Sequence, residues 1–101
     1  MVKHIILWKL REDLSEDEAQ NVKLNIKQGL EGLRGQIPGL TEIRVQIDNI
    51  IESSNADILL DCTLASQQAL RAYAVHPLHM AVANSKVRPY TAERTCIDFE
   101  L

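Results

Sequence analysis

The chain has 101 residues, enough for one domain spanning 1–101 with a single modest core. Apolar residues make up 46% and charged residues 25%, an ordinary globular mixture; a net charge of -3 without a Lys/Arg cluster argues against a nucleic-acid partner. No apolar run approaches a membrane span, and "MVKHIILWKL" is interrupted by charges and lacks a small-residue cleavage site, so it does not read as a signal peptide. The expected location is the cytoplasm, with Cys62 and Cys96 as reduced thiols that pack like small apolar groups.

Val2 to Leu10 alternates as a strand, with Val2, His4, Ile6 and Trp8 on one face and Lys3, Ile5, Leu7 and Lys9 on the other. Large apolar groups on both faces predict a central strand. "LSEDEAQ" then starts a helix: Ser15 caps, Glu18 completes a capping box, and Glu16 and Asp17 suit the positive end of the helix dipole. Ala19, Val22, Ile26, Leu30, Leu33 and Ile37 form one apolar stripe. Gly32 and Gly35 weaken its last turns, and Pro38-Gly39 is the expected stop.

Thr41 to Asp48 alternates again, with Ile43, Val45 and Ile47 together, and Ala56 to Leu64 is a third strand with Ile58, Leu60, Cys62 and Leu64 on one face. Ser66 caps a second helix whose apolar side holds Ala69, Leu70, Tyr73 and Ala74. A residue before proline avoids helical geometry, so His76 marks a break and Pro77 starts a short helix expected to end before Pro89. Thr91 to Glu100 is the last strand, with Arg94, Cys96, Asp98 and Glu100 opposite Thr95, Ile97, Phe99 and Leu101.

The order β-α-β-β-α-β closes most simply as an α+β, ferredoxin-like sandwich: a four-stranded antiparallel sheet with its helices on one face. The other face then exposes Leu and Ile, a patch that monomers seldom keep. The expected resolution is a homodimer packed sheet to sheet.

Three stretches carry a family resemblance: the opening "MVKHIILWKL", "AYAVHPLHMAV", and the spaced pattern V-R-P, Arg94 and "IDFE" near the end. Together they resemble the stress-responsive A/B barrel family, the dimeric alpha-beta barrel domains called Dabb, over essentially the whole chain. The resemblance implies the ferredoxin-like fold and the sheet-to-sheet dimer that forms an alpha-beta barrel. Many members have no known activity. One plant branch comprises polyketide cyclases that close a poly-β-keto acid by aldol condensation. In that branch the second histidine of H-P-x-H is the general base, which implies His79 here. The tyrosine before the motif assists, implying Tyr73, and a first-strand histidine lines the cavity, implying His4. A third-strand histidine of those cyclases falls on Asp57 here, and the apolar lining differs, so the substrate does not carry over.

Chemistry supports two readings of the same trio. Histidine exchanges a proton near neutral pH, and a helix N-terminus disfavours imidazolium, so His79 suits a general base with Tyr73 and His4 converging on an apolar pocket. Equally, His76 caps a corner, His79 bonds a backbone carbonyl and Tyr73 packs in the core with its hydroxyl at the rim. His76 and His79 are poor metal partners because Pro77 interrupts the geometry between them, so no metal is expected. No glycine-rich phosphate loop or cofactor motif is legible, so no cofactor is expected either. Asp98, Glu100 and Arg94 read as a solvated or interfacial ion-pair row. The functional expectations are a small-molecule pocket with cofactor-free, cyclase- or lyase-like proton transfer on a keto or aromatic acid; a non-enzymatic stress-related or accessory dimer; and, on fold analogy alone, a cofactor-independent oxygenase.

Overall fold

A computed structural model describes all 101 residues. Four strands form one antiparallel sheet: β1 (Val2–Leu10), β2 (Leu40–Gln46), β3 (Ile58–Leu64) and β4 (Thr91–Glu100), in the spatial order β2-β3-β1-β4. Three helices accompany it: α1 (Glu16–Glu31), α2 (Gln67–Val75) and α3 (Pro77–Val82). This is the expected ferredoxin-like α+β arrangement, and β1 is central as its two apolar faces require. Its register places His4 between Cys62 on β3 and Asp98 on β4, and Trp8 between Ile58 and Arg94.

The helix-facing side of the sheet carries the core. Ile6, Trp8, Ile43, Val45, Ile58, Leu60 and Leu64 meet Val22, Ile26 and Leu30 of α1 and Tyr73 of α2. The Ser15 capping box forms as the sequence predicts, with Glu18 N–H donating to Ser15 Oγ and Ser15 N–H to Glu18 Oε1, both at 3.1 Å.

Helix α1 ends at Glu31, six residues short of the apolar stripe's end. Gly32 caps it, Gly35 sits at φ +77°, and tight turns carry Leu33 and Ile37 into the core without a helix. Tertiary bonds anchor this end to the sheet. Glu31 Oε2 accepts the Val45 N–H and the Lys27 ammonium, both at 2.9 Å, while Lys27 Nζ also reaches the Val45 carbonyl at 2.7 Å. Strand β2 is a sheet edge, and these side chains occupy backbone groups that would otherwise invite another strand. Burial pushes the Glu31 carboxyl upward, but the Val45 and Lys27 bonds outweigh it and hold the group below its usual range.

The remaining boundaries shift modestly. β2 begins at Leu40 rather than Thr41, with a register shift between Leu40 and Glu42, and ends at Gln46. β3 begins at Ile58 rather than Ala56. Asp57 is held just outside it, its carboxylate accepting the Leu10 N–H at 2.8 Å and its N–H donating to the Trp8 carbonyl at 2.9 Å. Beyond Val82 the chain does not simply end a short helix. It widens into a π-helical turn over Ala83–Val87 and tightens into a 3-10 turn over Arg88–Tyr90 that contains Pro89.

The far face of the sheet is uncovered. Ile97, Phe99 and Leu101 are 60%, 45% and 71% exposed, beside Leu7. Lys3 and Asp61 form an ion pair at 2.8 Å on the same face. No helix is long and apolar enough to cross a membrane.

Candidate functional site

The three predicted residues reach one cavity from three elements. His4 comes from the centre of β1, Tyr73 from the last full turn of α2, and His79 from α3. The cavity measures about 120 Å³, and its apolar wall includes Ile6, Trp8, Leu60 and Val87. Tyr73 lies between the histidines, its ring 4.3 Å from that of His79 and 6.0 Å from that of His4.

Local sequence explains the placement. His76, forced out of helical geometry by Pro77, turns the chain between α2 and α3 at φ -65° and ψ 135°. Its Nδ1 accepts the Leu78 N–H at 3.1 Å, so His76 is a cap and stands outside the cavity. The same corner folds α3 back so that His79 Nδ1 lies 3.2 Å from the Ala74 carbonyl. A carbonyl only accepts, so neutral His79 carries its proton on Nδ1 and keeps a lone pair on Nε2. Burial is the first cause that lowers the His79 pKa, against the Ala74 carbonyl, with positive charge at His4, Arg88 and Arg94 adding to it. The expectation of a neutral ring stands, but its main cause is desolvation rather than the helix N-terminus.

Tyr73 is 1% exposed, and burial drives its pKa upward, so the phenol stays protonated. Its nearest polar partner is the Cys62 thiol at 4.0 Å, a contact too long to hold the hydroxyl firmly. Cys62 is buried as expected, which pushes its thiol up to about 12. Cys96, expected to pack likewise, is exposed on β4.

Other residues of this region were read otherwise, or not at all, from the sequence. Arg88 and Arg94 line the cavity and bring positive charge to it. Asp98 is not part of an ion-pair row with Arg94 and Glu100. It accepts from His4 Nδ1 at 2.5 Å, while Glu100 accepts from Gln67 Nε2 at 2.5 Å. Cys96 lies beside this pair, its Sγ 3.6 Å from Asp98 Oδ1 and 3.8 Å from His4 Nδ1. His4, Cys96 and Asp98 are the one group of three or more His, Cys, Asp or Glu residues whose ligand atoms all lie within 4.8 Å of one another. Asp57 does not face the cavity; the adjacent inward-facing residue is Ile58.

The chemistry available is therefore a neutral imidazole base, a protonated phenol, and a second imidazole held by a carboxylate, with two guanidinium groups in the wall. Comparison with known proteins places the fold. A solved dimeric protein of unknown function from Bacteroides fragilis, with a ferredoxin-like fold, is 30% identical and matches 99% of this chain and 95% of its own at a TM-score of 0.91. A dimeric ferredoxin-like protein of unknown function from Thermobifida fusca is 25% identical over 99% of this chain and 90% of its own, at a TM-score of 0.79. A hydroxynitrile lyase from Passiflora edulis shares the fold at 14% identity, covering 97% of this chain and 90% of its own, with a TM-score of 0.70. No curated protein matches the chain. The family model for the stress responsive A/B barrel domain matches residues 2–101, and the chain belongs to that family.

Proposed function

We propose that the chain acts in the cytoplasm as a sheet-to-sheet homodimer, each protomer binding a small keto or aromatic acid in the cavity between helices and sheet. His79 Nε2 accepts a proton from the bound acid without a cofactor. Tyr73 and His4 orient the carbonyl or enolate oxygen as charge develops on it. The observation that carries this reading is the convergence of His4, Tyr73 and His79 on one cavity. Arg88 and Arg94 in the wall favour an anionic ligand. The exposed Ile97, Phe99 and Leu101, together with the dimeric description of the similar Bacteroides fragilis and Thermobifida fusca proteins, support the dimer. The lyase activity named for the Passiflora edulis protein, on the same fold, supports a lyase-like class.

The test is thermal stabilisation by a panel of β-keto acids, phenolic acids and lactones, for wild type and His79→Ala. Stabilisation of wild type by an acid, lost in the variant, supports the reading and directs turnover assays to that compound. The competing reading has a specific observation behind it, the His79–Ala74 contact at 3.2 Å beside the His76 cap, which together make a purely structural corner. It requires that no compound stabilises wild type and that His79→Ala costs only about 1–3 kcal/mol of stability.

A further inference from the structure

Strands β1 and β4 pair antiparallel with His4 opposite Asp98. Side chains alternate along a strand, so Cys96, two residues before Asp98, emerges on the same face. An imidazole nitrogen, a thiol sulfur and a carboxylate oxygen thus meet over two adjacent strands, and nothing in the proton-transfer reading uses Cys96. We propose that His4 Nδ1, Cys96 Sγ and an Asp98 carboxylate oxygen form a binding site for a borderline-soft divalent transition-metal ion of the zinc type.

The spacing fits such an ion. Tetrahedral zinc bonds of about 2.0–2.3 Å separate neighbouring nitrogen, oxygen and sulfur ligands by roughly 3.3–3.5 Å. The Sγ–Oδ1 and Sγ–Nδ1 distances, 3.6 and 3.8 Å, are already within a few tenths of an ångström of that. The third, 2.5 Å between Nδ1 and Oδ1, is a hydrogen bond whose proton is released to solvent when the ion enters, as is the proton of the Cys96 thiol. The Asp98 side chain is 42% exposed, so its carboxylate has room to swing outward by the required distance. His4 is 7% exposed, so its ring is fixed by packing and the site is built around it.

The donor set selects the ion. Thiolate with imidazole suits zinc and cobalt, whereas magnesium and calcium require an all-oxygen shell. Antiparallel pairing of β1 with β4 sets the three ligands in register. Three protein ligands leave one coordination position for water or an external donor, the pattern of an open zinc site. This departs from the expectation of no metal, which considered only His76 and His79.

The experiment is a cobalt(II) titration of chelator-treated protein, followed by zinc displacement. The expected result is one ion per chain, tetrahedral d–d bands, and a near-ultraviolet thiolate-to-cobalt charge-transfer band that zinc abolishes. Cys96→Ser, at an exposed strand position, removes the charge-transfer band and weakens zinc binding at least ~10-fold; Asp98→Asn weakens binding and keeps the band. Cobalt binding without a thiolate band, a band that survives Cys96→Ser, or no binding at all overturns the assignment.

Discussion

Replacing Gly39 by alanine tests how the helical layer is seated on the sheet. Gly39 lies just before β2 at φ +83°, and its carbonyl accepts the Ala65 N–H at 2.9 Å. A Cβ on Gly39 lies 2.6 Å from Ala69 Cβ and 3.7 Å from Ala69 Cα. The left-handed backbone costs alanine about 1–2 kcal/mol. Carbon pairs favour about 3.5–4.0 Å, so the 2.6 Å approach forces the start of α2 outward, an overpacking cost of about 1–3 kcal/mol. Together Gly39→Ala loses about 2–5 kcal/mol, a large share of the ~5–15 kcal/mol that a small domain has. The melting temperature then falls by at least about 8 °C. Ala69→Gly removes the obstructing Cβ at about 1 kcal/mol of helix propensity, and Gly39→Ala in that background retains only the backbone penalty. Urea unfolding of the four proteins, followed by far-ultraviolet circular dichroism, yields the coupling, with an expected value of about 1–3 kcal/mol. Additive losses within about 0.5 kcal/mol would show that α2 is not seated on Gly39, and the depth at which α2 holds Tyr73 would need another explanation.

Three further outcomes are expected. Burial lowers the His79 pKa in the folded chain below 6.5, so the unfolded chain takes up that proton first as pH falls; stability then drops from pH ~6.5 downward until the folded pKa is passed, and His79→Gln flattens this step. Ring proton NMR locates the midpoint, and a value at or above 6.5 contradicts the burial of the ring. Tyr73→Phe leaves the packing and removes only a hydroxyl whose nearest partner is 4.0 Å away, so stability changes by less than about 1 kcal/mol while acid binding weakens. Denaturation and ligand-induced thermal shift separate the two effects, and an unchanged shift removes the hydroxyl from the site. Ile97→Asp or Phe99→Asp converts a sheet-to-sheet dimer to monomer, because each side chain is buried twice by symmetry at roughly 1.5–3 kcal/mol per copy. Light scattering after gel filtration decides, and dimers persisting at low micromolar concentration would place the interface elsewhere.

The fold was legible wherever one residue's neighbours in sequence decided its state. Alternation put His4, Ile6 and Trp8 of β1 on one face, and the Ser15–Glu18 box fixed the start of α1. The end of α1 was not legible in the stripe, because Leu33 and Ile37 reach the core from turns beyond Gly32 rather than from the helix. Asp57 read as a strand residue because Ala56 to Leu64 alternates, whereas its carboxylate is taken by the Leu10 N–H. The site divides in the same way. The corner that presents His79 is local, since Pro77 dictates it. The His4–Asp98 bond depends on the register of two strands at opposite ends of the chain. Parity along β4 told which side chains share a face, but not that Asp98 rather than Glu100 stands opposite His4.

The polar inward face of β4 follows from its place at the sheet edge. Helices cover β1 and β3, where the inward residues are Ile6, Trp8, Leu60 and Leu64, while β4 is held almost wholly by β1. Arg94, Cys96 and Asp98 are therefore exposed and need not be apolar, and Arg94 reaches the cavity wall. That leaves β4 with few buried contacts of its own, and its apolar residues, Ile97 and Phe99, point away toward the exposed face. A partner sheet packed on that face, as the proposed dimer requires, would stiffen the strand, which carries Arg94 and the carboxylate that holds His4. In the proposed dimer, dimerisation and ligand binding would then be linked, because a ligand that favours the ordered strand would also favour the dimer. Ile97→Asp should weaken acid binding, although Ile97 points away from the cavity, and acid should shift wild type toward dimer at limiting concentration. Calorimetry on the monomeric variant gives the answer. Binding as tight as wild type would mean that β1 alone orders β4, and that the dimer has no part in the site.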